Sequence, residues 1–312
     1  MRIERMDRVK STFNIKNLEN LSGIKAHTLR IWEKRYNLLE PERTDTNIRR
    51  YSLESLKKLL NITLLYNHGF KISKIASLNV DEIPKLVRSI ALKSNSEQVS
   101  INAFKLAMIN FDYELFDINF DEILQNHDFE YCFMQIFMPL MRELGILWQT
   151  GAISPSHEHF ITNLVKQKIH LQTESLQRNK FSNDDLPIFV LFLPENEIHE
   201  LGILYLNYLI LSKGFRTIFL GQSLQISSLE TLYSYDTKFN FVSYLTVEPK
   251  KEEIMPYLKK FHAQILANRE SKLILFGPQQ AEIDINQIPS QIEMYRSLES
   301  FVFKYFSENV YV

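Results

Sequence analysis

Beyond Pro187 the hydrophobic period of this chain changes, and that change restricts the folds open to it more than any other feature. Before it, apolar residues recur three and four apart. After it, short apolar runs at 188–193, 217–220, 241–245, 273–276 and 292–295 are each followed by a stretch with helical spacing. Strands alternating with helices build a doubly wound parallel sheet with helices on both faces, which takes ligands at the carboxyl ends of its strands. A chain of 312 residues is long enough to bury at least two cores. The expected fold is therefore multidomain, α and α/β. Four helical stretches over 99–178 predict a helical bundle, and the sheet domain follows over 186–312, with polar linkers at 93–98 and 179–185.

The first 92 residues read differently. A short apolar helix (Ile15, Leu18, Leu21) is followed by a turn at Ser22-Gly23-Ile24. A second helix then carries His27, Thr28, Arg30, Lys34 and Arg35, side chains that reach nucleic acid. The stretch from Pro41 to Tyr51 places turn formers inside a basic hairpin, which suits a wing along a phosphate backbone. Leu53 to Leu65 predicts a longer helix stopped at His68-Gly69, and shorter helices are expected from Ile72 to Leu78 and from Asp81 to Ile90.

Charge agrees with this division. Residues 1–78 hold sixteen Lys/Arg against eight Asp/Glu, a surplus of eight, so a net charge of −1 leaves the remainder at −9. A basic head on an acidic body fits a protein that sets one end on phosphate. Cys132 is the only cysteine, which excludes an intramolecular disulfide and a thiolate cluster. No apolar run reaches the length of a membrane span, and Met1 to Lys10 alternates charges without a signal-peptide core, so a cytoplasmic protein is expected. No Ser-His-Asp arrangement, phosphate-binding Gly loop or paired-Cys metal site stands out, so the chain is not expected to be an enzyme.

Thr28-Leu29-Arg30-Ile31-Trp32-Glu33-Lys34-Arg35-Tyr36-Asn37-Leu38-Leu39, followed by Pro41, Arg43, Arg49 and Tyr51, resembles the winged helix-turn-helix head of MerR-type transcriptional regulators over about seventy residues. The resemblance implies that His27, Thr28, Arg30 and Lys34 meet the major groove or its flanking phosphates, while Arg43, Asn47, Arg49, Arg50 and Tyr51 supply wing contacts. It implies double-stranded DNA with a palindromic operator, and hence a homodimer or homotetramer. No heptad run follows Leu78, so the body is expected to mediate assembly. Asn47 stands where the family usually has Gly; Asn is the next best residue for positive φ.

In the body, the first strand runs into Glu197-x-His199-x-x-Gly202. A His two residues past a carboxylate can ligate a metal with its second ring nitrogen held by that carboxylate, although a lone His in such a loop is also a common surface or capping residue. With Ser223 after the second strand and Ser243-x-Leu245 at the end of the third, these residues resemble the flavodoxin-like cobalamin-binding fold. That resemblance makes His199 the ligand beneath cobalt, puts Ser243 against the displaced base, and has Gly277 in the pair that makes room for the nucleotide tail. Trp148, nine residues and then Glu158-His159 resemble the bundle of the cobalamin-sensing MerR branch, where these side chains cap the upper face of the corrin. A Trp in that place can equally be a packing anchor.

The implied function is a regulator, with repression the commoner mode. Its oligomeric state or DNA affinity follows adenosylcobalamin or methylcobalamin bound between bundle and sheet, with light acting on the axial bond. Four positions depart from the pattern: Glu197 for the usual Asp, Gln149 for the His that follows the capping Trp in light-responsive members, and Phe276 and Pro278 around Gly277. Two alternatives stand beside this reading. One is a MerR-type regulator with a degenerate sensory half that answers to another ligand or a protein partner. The other is a corrinoid carrier for methyl transfer.

Overall fold

The computed structural model describes residues 12–79, 82–91, 97–149, 153–178, 186–234, 238–267 and 269–306; the side chains of 88–91 and of Trp148 and Gln149 are outside that description. The expected linkers also fall outside it, except Glu97 and Gln98, which open a helix. The chain forms two compact units, 1–165 and 166–312.

The first unit begins with β1 (Thr12–Phe13), α1 (Ile15–Ser22) and α2 (Ala26–Tyr36). Asn14 and Asn17 cap α1 reciprocally, each side-chain oxygen accepting the other's backbone N–H at 2.9 and 3.2 Å. The helix ends where Gly23 takes φ +73°, its N–H donating to Glu19 O at 2.8 Å. Asn37, at φ +51°, ends α2 in the same way. Next come β2 (Glu42–Arg43), β3 (Arg49–Ser52), α3 (Leu53–Asn67), α4 (Ile72–Ala76) and α5 (Glu82–Ala91). β3 pairs antiparallel with both β1 and β2, and this hairpin is the expected wing. Its turn residue Asn47 adopts φ +62°.

The helices α6 (Glu97–Asn110), α7 (Tyr113–Asn126), α8 (Phe129–Tyr131) and α9 (Met138–Gln149) follow, with a π-helical turn over Cys132–Phe137 joining α8 to α9; α10 (Pro155–Gln177) comes next. Phe104, Phe116 and Phe137 form the centre of this unit, with ring centroids 4.8 to 6.2 Å apart. Cys132 is fully buried, and burial pushes its thiol up, so it stays an inert core residue.

The second unit holds a five-stranded sheet of β4 (Ile188–Pro194), β5 (Thr217–Leu224), β6 (Phe239–Tyr244), β7 (Lys272–Phe276) and β8 (Ile292–Met294). All pairs are parallel, and the order is β5-β4-β6-β7-β8, the doubly wound order with a reversal next to β4. One face packs Val242, Ile274 and Phe276 with residues of α11 (Leu201–Ser212) and α13 (Leu298–Phe306); the other packs Phe241, Leu245 and Leu275 with α12 (Lys251–Phe261). Each strand is followed by an α-helix in the sequence expectation, but after β5 and β7 the chain forms only 3-10 turns, Ile226–Ser234 and Pro278–Glu282. Pro278 opens the second of these turns directly after Gly277 at φ +102°. Among the described residues no helix is long and apolar enough to cross a membrane.

Candidate functional site

In the head, α2 buries Leu29 and Trp32 and turns His27, Arg30, Ile31 and Lys34 to solvent, with Thr28 half-buried. Trp32 anchors this helix edge-on against Tyr66 of α3, with ring centroids 5.0 Å apart. Arg43, Asn47 and Arg50 are exposed on the wing, and Arg43 Nη1 donates to Asn47 Oδ1 at 2.6 Å. The exposed faces of helix and hairpin are each basic.

Tyr51 is placed differently from the wing contact that the motif implies. It is 0% exposed, and its hydroxyl donates to Glu33 Oε2 at 3.0 Å. Arg49 Nε donates to the other oxygen of the same carboxylate, also at 3.0 Å. Burial first, and then the Glu33 carboxylate, push the Tyr51 phenol up, so it remains a donor. Glu33 is thus a strut between α2 and the wing. Its signal in the sequence is a single acid amid Arg30, Lys34 and Arg35. Glu33→Ala is expected to leave the buried Tyr51 hydroxyl without an acceptor, at about 1–3 kcal/mol. Thermal unfolding should shift down and DNA affinity should fall even though a negative charge is removed; a rise in affinity would show that charge outweighs the strut.

The second unit gathers its polar residues at the carboxyl edge of the sheet. Pro194 ends β4, and a turn in which Glu197 N–H donates to Pro194 O at 3.0 Å carries the chain toward α11. Glu197 is 0% exposed. Its Oε2 accepts the backbone N–H groups of Thr246, Val247 and Glu248 at 3.2, 2.7 and 2.9 Å. Its Oε1 accepts the His199 N–H at 2.9 Å and lies 2.6 Å from His199 Nδ1. Burial alone would raise this carboxyl, but the N–H groups of Glu248, Val247 and His199, with the His199 ring, outweigh it and hold the pKa at about 2.

An ionised carboxylate can only accept, so in the neutral His199 ring Nδ1 carries the proton and the lone pair is on Nε2. The His199 side chain is 54% exposed, and a ligand can reach it. Ser223, at φ +51° behind Gly221 at φ +78°, secures the loop from the other side: its Oγ accepts Asn196 N–H at 3.0 Å and its N–H donates to Glu197 O at 3.2 Å. Among the described residues no group of three or more His, Cys, Asp or Glu could hold a metal ion.

The remaining motif residues divide. Ser243 and Leu245 are both 0% exposed, and the Ser243 hydroxyl has no hydrogen-bond partner among the described residues. Gly277 is required by backbone approach: a Cβ there would stand 2.3 Å from Leu245 O. The space in front of Gly202 is filled, since a Cβ would stand 2.6 Å from the Tyr244 ring. Phe276, 4% exposed, stacks with Tyr295 at 5.9 Å and meets Phe301 edge-on at 5.2 Å. His199 thus stands at the carboxyl edge of the sheet with its carboxylate partner, and the Tyr244 and Phe276 rings pack beside Gly202 and Gly277.

In the first unit Glu158 and His159 lie in the first turn of α10. Glu158 Oε1 accepts Thr162 Oγ1 at 2.7 Å, and its Oε2 lies 2.7 Å from Nδ1 of the exposed His159. His157 is buried against Phe111 at 4.8 Å with Nδ1 2.8 Å from Ser154 Oγ, and burial lowers its pKa. Trp148 closes α9.

The matches to known proteins are those of a transcriptional regulator with a MerR HTH head and a B12 binding domain. Residues 13–78 match the MerR HTH family of regulatory proteins, and residues 100–171, which run from α6 into α10, match the B12 binding domain. The chain is homologous to the HTH-type transcriptional repressor CarH of Myxococcus xanthus, 25% identical over 224 residues that cover 70% of this chain and 73% of the relative. It is similarly related to the HTH-type transcriptional repressor CarA of the same organism, 24% identical over 228 residues covering 70% and 71%. Among solved structures the monomethylamine corrinoid protein of Methanosarcina barkeri has the same fold over 67% of this chain and 97% of its own, at a TM-score of 0.53 and 13% identity.

Proposed function

We propose that this protein is a cytoplasmic, DNA-binding transcriptional repressor whose operator affinity is set by a cobalamin-type corrinoid ligated at His199. The observation that carries the reading is the Glu197–His199 pair: a fully buried carboxylate that fixes the ring tautomer and leaves Nε2 exposed at the ligand-binding edge of a parallel sheet. The matched B12 binding domain and the two repressor relatives support it. When bound, the corrinoid supplies a cobalt ion in need of an axial base. The chain's own part is to hold one imidazole nitrogen in its basic form, with Ser223 fixing the loop.

On DNA, His27, Thr28, Arg30 and Lys34 reach the major groove and its phosphates while Arg43, Asn47 and Arg50 follow the backbone. A palindromic operator requires two heads and thus a homodimer or homotetramer. Corrinoid and operator affinities are then linked by one coupling free energy, which acts equally in both directions. The protein is a binding protein and not an enzyme. A methyl-transfer carrier would share the sheet but have no use for the head.

The test titrates the purified protein to saturation with adenosylcobalamin and follows the visible spectrum and operator binding, in the dark and again after illumination. His199→Ala should abolish the imidazole-ligated spectrum, and Arg30→Ala should weaken operator binding at least about tenfold, the worth of one good base contact. An identical spectrum in the His199 variant would remove that residue from the site. Full operator affinity without Arg30 would refute the docking of α2, and operator binding indifferent to corrinoid would leave a regulator with another effector.

A further inference from the structure

The cofactor reading above leaves open which corrinoid the site takes, and the same sheet edge bears on that. On the face covered by α11, Val242, Tyr244, Ile274 and Phe276 stand side by side, Tyr244 directly opposite Phe276 in the β6–β7 register. The Tyr244 ring lies on the start of α11 so closely that even one methyl group at Gly202 would overlap it, at 2.6 Å from Cε2 and 2.8 Å from Cζ. Phe276 continues the same wall into Tyr295 and Phe301, and Phe301 is itself 0% exposed. The wall cannot easily recede. Gln280, buried behind it, donates Nε2 to Leu275 O at 3.0 Å and Tyr295 O at 2.9 Å, which ties the end of β7 to the residue after β8. Gly277 is held against Leu245 by backbone contact on the next residue. An inserted aromatic base with its ribose and phosphate would have to displace the buried Phe276 ring and the half-buried Tyr244 ring beside it.

A corrinoid that carries its own lower base presents a second difficulty. That base is tethered to the ring and competes with His199 for cobalt at high effective concentration. A protein that buries the released base compensates for this competition. Here the released base would remain in water, so exchange for His199 has nothing to drive it beyond the two nitrogens' own affinities. A corrinoid without a lower base offers only water as competitor, and the exposed Nε2 of His199 replaces it without opening the core.

We infer that the Tyr244–Phe276 wall selects for corrinoids that lack a lower nucleotide, so that His199 binds a cobinamide-type ring in preference to a complete cobalamin. This rests on the cofactor reading proposed above, and the experiment separates the two. The full-length apo protein is titrated with diaquocobinamide and, in parallel, with hydroxocobalamin, following the imidazole-ligated visible spectrum for the protein and for His199→Ala. The expected result is at least tenfold tighter His199-dependent binding of diaquocobinamide. In addition, Tyr244→Ala/Phe276→Gly should narrow or reverse the preference by gaining affinity for hydroxocobalamin; should that variant fail to fold, the wild-type comparison alone decides. Equal or tighter His199-dependent binding of hydroxocobalamin by the wild type would overturn the selectivity while leaving the corrinoid reading intact. Binding of neither corrinoid, or binding that ignores His199, would overturn both.

Discussion

Glu197→Ala is expected to destabilise the second unit by about 3–5 kcal/mol, because three backbone N–H groups lose their shared acceptor and a buried ionic hydrogen-bond cluster is broken. The groups concerned, Thr246, Val247 and Glu248, lie about fifty residues away in the chain, so this one side chain joins the β4–α11 loop to the segment after β6. The midpoint of thermal unfolding should fall by roughly 10 °C. Glu197→Gln should recover only part of this, since an amide presents one acceptor and two donors where five donor contacts converge.

The pH dependence has a definite sign. The carboxyl is ordinary at 4.5 when unfolded and held at about 2 when folded. A depressed pKa stabilises the folded state fully above the unfolded value, and that contribution is lost as pH falls from 4.5 toward 2. The wild type should therefore lose stability across that acid window more steeply than Glu197→Ala. Parallel acid-unfolding curves, or a thermal midpoint moved by less than about 2 °C, would contradict the role given to Glu197.

Gly277→Ala is expected to be nearly as damaging, for a reason unrelated to charge. At φ +102° and ψ +165° the backbone occupies a region that is essentially closed to residues with a Cβ. The added methyl would also stand 2.3 Å from Leu245 O and 2.8 Å from its carbonyl carbon. Strain and overlap together predict a loss of about 3–5 kcal/mol. Because Leu245 N–H donates to Phe276 O at 2.9 Å, relief of the overlap would pull apart the same strand ends that form the Tyr244–Phe276 wall. Hydrogen exchange at the Leu245 amide is the direct measurement: it should accelerate strongly in the variant, and unchanged protection would show that the backbone relaxes without parting these strands. The motif assigns Gly277 to making room for a ligand, whereas the observed geometry makes it a requirement of β6–β7 packing.

Much of this architecture can be read from local pattern. The helical period, the Gly23 and Asn47 turns and the five apolar runs each follow from residues within a few positions of one another, and helices, turns and strands form at or near those positions. The Glu197–His199 pair is legible too, because its spacing of two is itself the geometry. The absence of α-helices after β5 and β7 is not legible, since helical spacing over a short stretch is equally compatible with 3-10 turns on a sheet edge.

Long-range contact decided the rest. The amino-acid pattern around Tyr51 reads as a wing contact, and only the arrival of Glu33 from another element makes it a buried hydrogen-bond donor. Likewise Phe276 marks a departure from a known motif, but Tyr244 gives no sign in the sequence that its ring closes over Gly202, forty-two residues earlier. Sequence by itself determined which elements form and which chemistry the chain carries, because those depend on spacing along the backbone. The tertiary structure alone decided what space remains beside that chemistry, because a volume is set by side chains that meet from three separate elements.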